Sequence, residues 1–382
     1  MSVYQGFSKT VQALLLAALI LPVIVSGCGS GGGGGGSGPD GASTGPPDTT
    51  APTVATMTPD EDTTGIATNV RLTATFSEAM APAGINTDFF RLTDGSNPIP
   101  GTVSYDSVNN IAVFTPSGGL ASGTRYTATM VTGVKDLGGN PLTIDFAWCF
   151  STGGTADVTG PTITATTATG VPINRKISVT FGEDMNSLTL IPANFTVTGP
   201  GTTPVSGTVR YHDRTAVFAP NSNFAPSTTY TATVTTGVKD LAGNALPGNA
   251  TWNFTTDANA DVAAPVIANI GPADGAAGVA IGTTITASFN EPMDPATINT
   301  ANFRVTGPGG AREIGIVAFN TSNNTATFTR HHHLTTPVDF HVTPVSNFEP
   351  NTTYTATLTT GARDMAGNAL ANDGVWSFTT AP

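Results

Sequence analysis

Positive charge is what this chain has least of. Its 382 residues hold 14 Lys and Arg against 26 Asp and Glu, a net charge of −12. Nucleic-acid phosphates and anionic lipid surfaces are both met by basic patches, so neither class of partner fits. Cysteine is nearly absent, with only Cys28 and Cys149, too few for a disulfide scaffold. Charged residues make up 10% and aromatics 7% of the chain. Apolar residues at helical spacing are scarce, which argues against a helical protein. G-x-S-x-G occurs once, at Gly41–Gly45, amid Gly, Ser and Pro with no flanking strand and helix, and neither H-E-x-x-H nor a Cys/His nucleophile pattern occurs, so the reading is that the chain is not an enzyme.

What the chain does have is repetition. Thr235–Leu246 reads TTGVKDLAGNAL, and close copies stand at Thr132–Leu142 and Thr359–Leu370. Each copy follows a YTAT segment, at Tyr126, Tyr230 and Tyr354, and precedes a W-x-F-x-T segment, at Trp148, Trp252 and Trp376. An F-x-E-x-M motif lies upstream each time, at Phe76, Phe181 and Phe289, and Asp-x-x-x-Pro opens each unit at Asp48, Asp157 and Asp261. The tryptophans are spaced by 104 and then 124 residues, so the third unit is longer by 20. Units of about 100 residues can each bury a core of their own, so they are domains rather than solenoid turns.

The first 47 residues belong to no domain. Val11 to Val25 is an apolar stretch after a thin positive start at Lys9, too short for a confident membrane span. It ends in Val25-Ser26-Gly27-Cys28, which resembles the lipobox of bacterial lipoproteins. The resemblance implies cleavage before Cys28 and lipidation of that cysteine. More than one acyl chain is needed for firm anchoring. Gly29 rather than Asp at the next position implies outer-membrane sorting in a Gram-negative host. Loss of Lys9 with the leader brings the net charge to −13. Residues 29–47 are almost all Gly, Ser, Pro and Asp, with too little to bury for any packed structure. As a flexible coil this tether spans on the order of 25 Å.

Period-two patterning dominates the rest. Val70 to Phe76, Ile177 to Phe181 and Tyr230 to Val234 all alternate, and turn residues such as Gly243 and Asn244 separate the runs. Six to eight short strands per 100 residues predict an all-β chain of three tandem immunoglobulin-like β-sandwiches. The Tyr of YTAT resembles the tyrosine corner of such domains. The position two residues later is Ala128, Ala232 or Ala356 instead of cysteine, so these cores form without an inter-sheet disulfide. The order of motifs is similar to the bacterial Ig-like domain of the S-layer SbsA type, over about residues 48–382. The resemblance implies a structural role at the cell surface, not an activity. The predicted divisions are 1–27 signal peptide, 28–47 lipidated Cys and linker, and Ig-like domains at 48–154, 155–257 and 258–382.

Candidate sites are few. Four of the five histidines lie in the insertion of the third unit, at about 330–343. His331 and His333 point to one face of a strand, and Asp339 or His341 completes a zinc- or copper-type set. The alternatives are a solvated loop or extended hairpin with exposed imidazoles, and a pH-dependent contact. Asp48, Asp157 and Asp261 are candidates for Ca²⁺ at domain junctions, joined by Glu78, Glu183, Asp136 or Asp240 from the adjoining domain. The alternative is a turn or capping role. No other cofactor is implied. Glu78, Glu183 and Glu291 recur in every unit, which marks them as architecture rather than catalysis. Cys149 alternates with Trp148 and Phe150, which predicts a free thiol on a solvated face.

The expected function is a lipid-anchored cell-surface structural or adhesion-type protein. Its domains act as a spacer or interaction rod, with the third domain farthest from the membrane and first in line for partner contact. The partners expected are the membrane, through the anchor, and a cell-envelope protein or polysaccharide. Rival readings are a glycan-, protein- or ice-binding module and an accessory subunit of an envelope assembly.

Overall fold

The computed structural model describes residues 48–164, 168–330 and 347–382. Cys28 and the insertion residues His331, His333, Asp339 and His341 lie outside the described residues.

Alternation produces the strands. In Arg125–Met130 the side chains of Tyr126, Ala128 and Met130 are buried while the Arg and Thr residues between them turn outward. β-branched threonines favour this half-buried pleat. The first domain has eight strands: β1 (Val54–Thr58), β2 (Thr63–Ile66), β3 (Leu72–Phe76), β4 (Phe90–Thr93), β5 (Gly101–Asp106), β6 (Ile111–Pro116), β7 (Arg125–Met130) and β8 (Phe146–Thr152). They form two four-stranded sheets, β1-β3-β6-β5 and β2-β8-β7-β4. Pairing is antiparallel except between β2 and β8. Residues 163–256 and 267–380 repeat both sheets in the same order. Among the described residues the helical elements are short 3₁₀ turns. The chain is all-β, three immunoglobulin-like sandwiches in tandem.

Each core is built on one aromatic triad. Phe90 packs against Phe114 at 5.6 Å and Trp148 at 5.8 Å between ring centres. Phe195 with Phe218 and Trp252, and Phe303 with Phe328 and Trp376, repeat the arrangement. Burial of each such ring contributes about 2 kcal/mol. The YTAT tyrosines behave as a tyrosine corner. The backbone N–H of Ala121, Ala225 and Glu349 donates to the hydroxyl of Tyr126, Tyr230 and Tyr354 at 2.8, 2.8 and 2.9 Å. A buried phenol thus gains the partner it requires.

Two expectations are corrected. Cys149 is buried, not solvated: Glu61 accepts a hydrogen bond from its backbone N–H, and the Thr127 hydroxyl lies 3.4 Å from its sulfur. The third domain is also not remote from the first. Its strand Gly315–Asn320 lies against β1, and Ile316 packs on the core of the first domain. Ile111 and Val113 of β6 in turn join the core of the second. The three sandwiches therefore touch one another instead of forming an open row.

Candidate metal centres at the leading faces

The K-D-x-x-G-N loop is shaped by its own aspartate. Asp240 accepts from the N–H groups of Gly243 and Asn244 at 2.6 and 2.8 Å, and from the Asn244 amide at 2.9 Å. Gly243 has φ of 100°, a left-handed conformation that favours glycine. Asp136 and Asp364 hold the other two copies of the loop in the same way. The Asn of each loop then reaches the start of its domain. Asn140, Asn244 and Asn368 donate to the carbonyls of Asp48, Asp157 and Asp261 at 3.1, 3.3 and 3.2 Å.

The F-x-E-x-M strand completes the site. Its Phe and Met are core residues, and Met80, Met185 and Met293 bridge to Asp136, Asp240 and Asp364. The Glu between them is left beside the loop. Three carboxylates thus converge at the leading face of every domain: Asp48, Glu78 and Asp136; Asp157, Glu183 and Asp240; Asp261, Glu291 and Asp364. In each set one oxygen per residue lies within 4.8 Å of the others. Burial pushes the Glu78 carboxyl up to about 7, with further push from Asp48 and Asp136. Burial and the two neighbouring aspartates raise Glu183 and Glu291 as well. Three carboxylates this close cannot all ionise cheaply. A proton relieves them, and so does a hard cation that takes oxygen ligands, of which Ca²⁺ is the type.

The opening aspartates do belong to acidic clusters, but the other ligands come from the same domain, not from the adjoining one. Their side chains also make the turn contacts weighed as the alternative, accepting from Thr50, Thr159 and Ala263 N–H at 2.9, 2.8 and 2.9 Å.

The contribution across the junction comes from residues the sequence reading passed over. Asn69 of the first domain grips the backbone of Asp157 twice: its amide donates to the carbonyl at 2.9 Å and its oxygen accepts from the N–H at 2.8 Å. Asn174 of the second domain grips Asp261 with the same two distances. Two residues on, the Arg71 N–H donates to the Leu241 carbonyl at 3.0 Å, and the Lys176 N–H to that of Met365 at 2.9 Å. The Arg71 guanidinium donates to the same Leu241 carbonyl, while the Lys176 ammonium pairs with Asp294. A hairpin tip adds a third contact. Tyr211 N–H donates to the Asn109 side chain at 2.7 Å, and Phe319 N–H to that of Asp213 at 2.9 Å. The available signal was Asn-x-Arg/Lys at matching places in two units, Asn69-Val-Arg71 and Asn174-Arg-Lys176.

The bacterial Ig-like domain family matches residues 48–152, 157–256 and 261–380. No curated protein matches the chain. Among solved structures, the surface layer protein SbsC, domains 1–6, is 14% identical with a TM-score of 0.25, covering 87% of this chain and 54% of that one. Sidekick-1 immunoglobulin domains 1–4 are 12% identical with a TM-score of 0.20, covering 87% of this chain and 74% of that one. The chain thus spans about half the length of the S-layer structure. Likeness at this level says nothing of domain arrangement or role.

Proposed function

The chain belongs to the bacterial Ig-like domain family, and from that premise we propose that it is a structural or adhesion-type protein of the cell surface. Its working part is a stiff three-domain block carried on a lipid anchor at Cys28 and the tether of residues 29–47. The observation that carries the reading is the junction made twice over with the same contacts. Asn69 and Asn174 each tie two domains through paired hydrogen bonds to backbone, and Ile111 and Val113 bury apolar surface between domains. Such junctions resist bending, which suits a spacer better than a flexible string. The partners proposed are the membrane, and a cell-envelope protein or polysaccharide.

Cations add to this reading. Ca²⁺ held by Asp157, Glu183 and Asp240, and by Asp261, Glu291 and Asp364, would sit where Asn69 and Asn174 grip the chain, and so stiffen the junctions. Asp48, Glu78 and Asp136 would hold the same ion on the first domain. A Zn²⁺ set of His331, His333, Asp339 and His341 rests on sequence spacing alone.

Two experiments test the proposal. Fatty-acid labelling and membrane fractionation should find the wild-type chain acylated and membrane-bound, and the Cys28→Ala chain neither. Equal membrane retention by both would defeat the anchor. Small-angle scattering in EDTA and then in Ca²⁺ should show one narrow particle that changes little in size. A broad, extended distribution in both conditions would defeat the stiff block.

A further inference from the structure

The three leading faces have the same chemistry but not the same cover. Leu241 and Met365 are 5% and 4% exposed, because the preceding domain lies on them, whereas Leu137 at the same loop position in the first domain is 71% exposed. Around Leu137 the loop that both other faces use is in place. The Asp136 loop has its own hydrogen bonds, Gly139 takes φ of 91°, and Asn140 donates to the Asp48 carbonyl. Tyr105 occupies the edge-strand position at which Tyr211 and Phe319 receive a hairpin tip, since all three pair with the alanine of the next strand in the same register.

The trailing faces differ in the opposite sense. Where the first and second domains carry Asn69 with Arg71 and Asn174 with Lys176, the third carries Gly282 and Thr284. It keeps an exposed hairpin-tip Asn323 but has neither the two-way amide clamp nor the cation. Among the described residues, then, both clamps are engaged and the leading face of the first domain meets none. A second copy of this chain has no further clamp among its described residues to offer it.

We propose that the leading face of the first domain is a docking surface for a bacterial Ig-like domain of another polypeptide, one that presents an Asn-x-Arg turn. The argument goes beyond the spacer reading and uses the two internal junctions as its template. The preference for Arg over Lys follows from the template. Arg71 needs only the Leu241 carbonyl, and Leu137 offers the equivalent group. Lys176 uses Asp294, and the equivalent position in the first domain is Ala81, which has no charge to pair. The occupant's Asn would grip the backbone of Asp48, its Arg would reach the Leu137 carbonyl, and its hairpin tip would meet Tyr105.

The test builds the missing clamp on this chain itself. In the donor copy Gly282→Asn and Thr284→Arg restore the turn, and residues 331–346 are shortened to the length of the matching link in the second domain, Asn221–Ser222. Sedimentation of the whole chain should show the wild type as one species and the donor as a concentration-dependent head-to-tail series. Leu137→Asp in the donor should abolish the series, and Thr284→Lys in place of Thr284→Arg should weaken it about tenfold. Leu137 is exposed, so that variant should keep its thermal midpoint. Should the shortened link prevent folding, the two substitutions with residues 331–346 intact are tested in the same way. A folded donor that stays a single species would overturn the proposal, as would a series that survives Leu137→Asp.

Discussion

The central strands of the first and third domains occupy the same place in the same sandwich, yet their outer sides differ. In Ile111-Ala112-Val113-Phe114 all four side chains are buried, Ala112 and Phe114 in their own core and Ile111 and Val113 against the second domain. In Thr325-Ala326-Thr327-Phe328 only Ala326 and Phe328 are buried, and the outward positions are threonines. Thr215 and Val217 of the second domain are covered as well. The inner positions are thus set by the fold of one domain and the outer ones by what lies next to it. Binary patterning within one strand reports both, because a sheet covered on two sides loses the polar half of its alternation.

The sharpest way to break this comparison is to place a charge at the two matching outer positions. Val113→Asp would force an unpaired carboxylate into an interdomain contact and should cost about 3 kcal/mol or more. Thr327→Asp should stay within about 0.5 kcal/mol. Denaturant titration of both chains decides the matter, and equal losses would mean that the outer face of β6 is not covered in solution.

Calcium should have the next largest effect. At about 100 times the dissociation constant, one bound ion adds about 2.7 kcal/mol, so thermal midpoints in millimolar Ca²⁺ at pH 8 should rise above those in EDTA. Asp136→Asn, Asp240→Asn and Asp364→Asn should each remove part of the rise. A midpoint unmoved by Ca²⁺ would leave the clusters as proton traps only.

The junction clamps come next. Asn69→Ala deletes two hydrogen bonds to backbone and should cost about 1–2 kcal/mol, as should Asn174→Ala. Gly282→Ala in the third domain removes no such contact, and its comparison with the other two tests whether the clamp is worth what its geometry suggests.

The smallest effect expected is the pH dependence in EDTA. The Glu78 carboxyl titrates near 7 in the folded chain against an ordinary 4.5. The folded state therefore holds the proton that the unfolded state has already lost. The stabilisation is complete below 4.5 and disappears as pH rises through about 7. Glu183 and Glu291 are shifted in the same direction. Unfolding followed from pH 5 to pH 8 should show the midpoint fall, less so in Glu78→Gln and hardly at all in Ca²⁺. A flat profile in EDTA would mean that the carboxylates do not crowd as drawn.

Much of a single domain was readable from the chain. Tyr230-Thr-Ala-Thr-Val234 announces its buried and outward faces by alternation, and Trp252 and Phe254 announce the closing strand. The acidic centres were only half readable. Asp157, Glu183 and Asp240 were each visible as repeated residues, but they are 26 and 57 positions apart, and nothing local says that they meet. Cys149 was misplaced because alternation fixes which way a side chain points, not how far that side is covered; its sulfur is buried, with the Thr127 hydroxyl 3.4 Å away.

The sequence by itself determined the three-fold repeat, the strand pattern and the tyrosine corner, because these depend on residues close in the chain or on a period of two. The tertiary structure alone decided that Asn69 and Asn174 are clamps, that the third domain touches the first, and that Leu137 is left uncovered. Each depends on contacts between residues some 90 to 260 positions apart, and only the packing of whole domains brings such residues together.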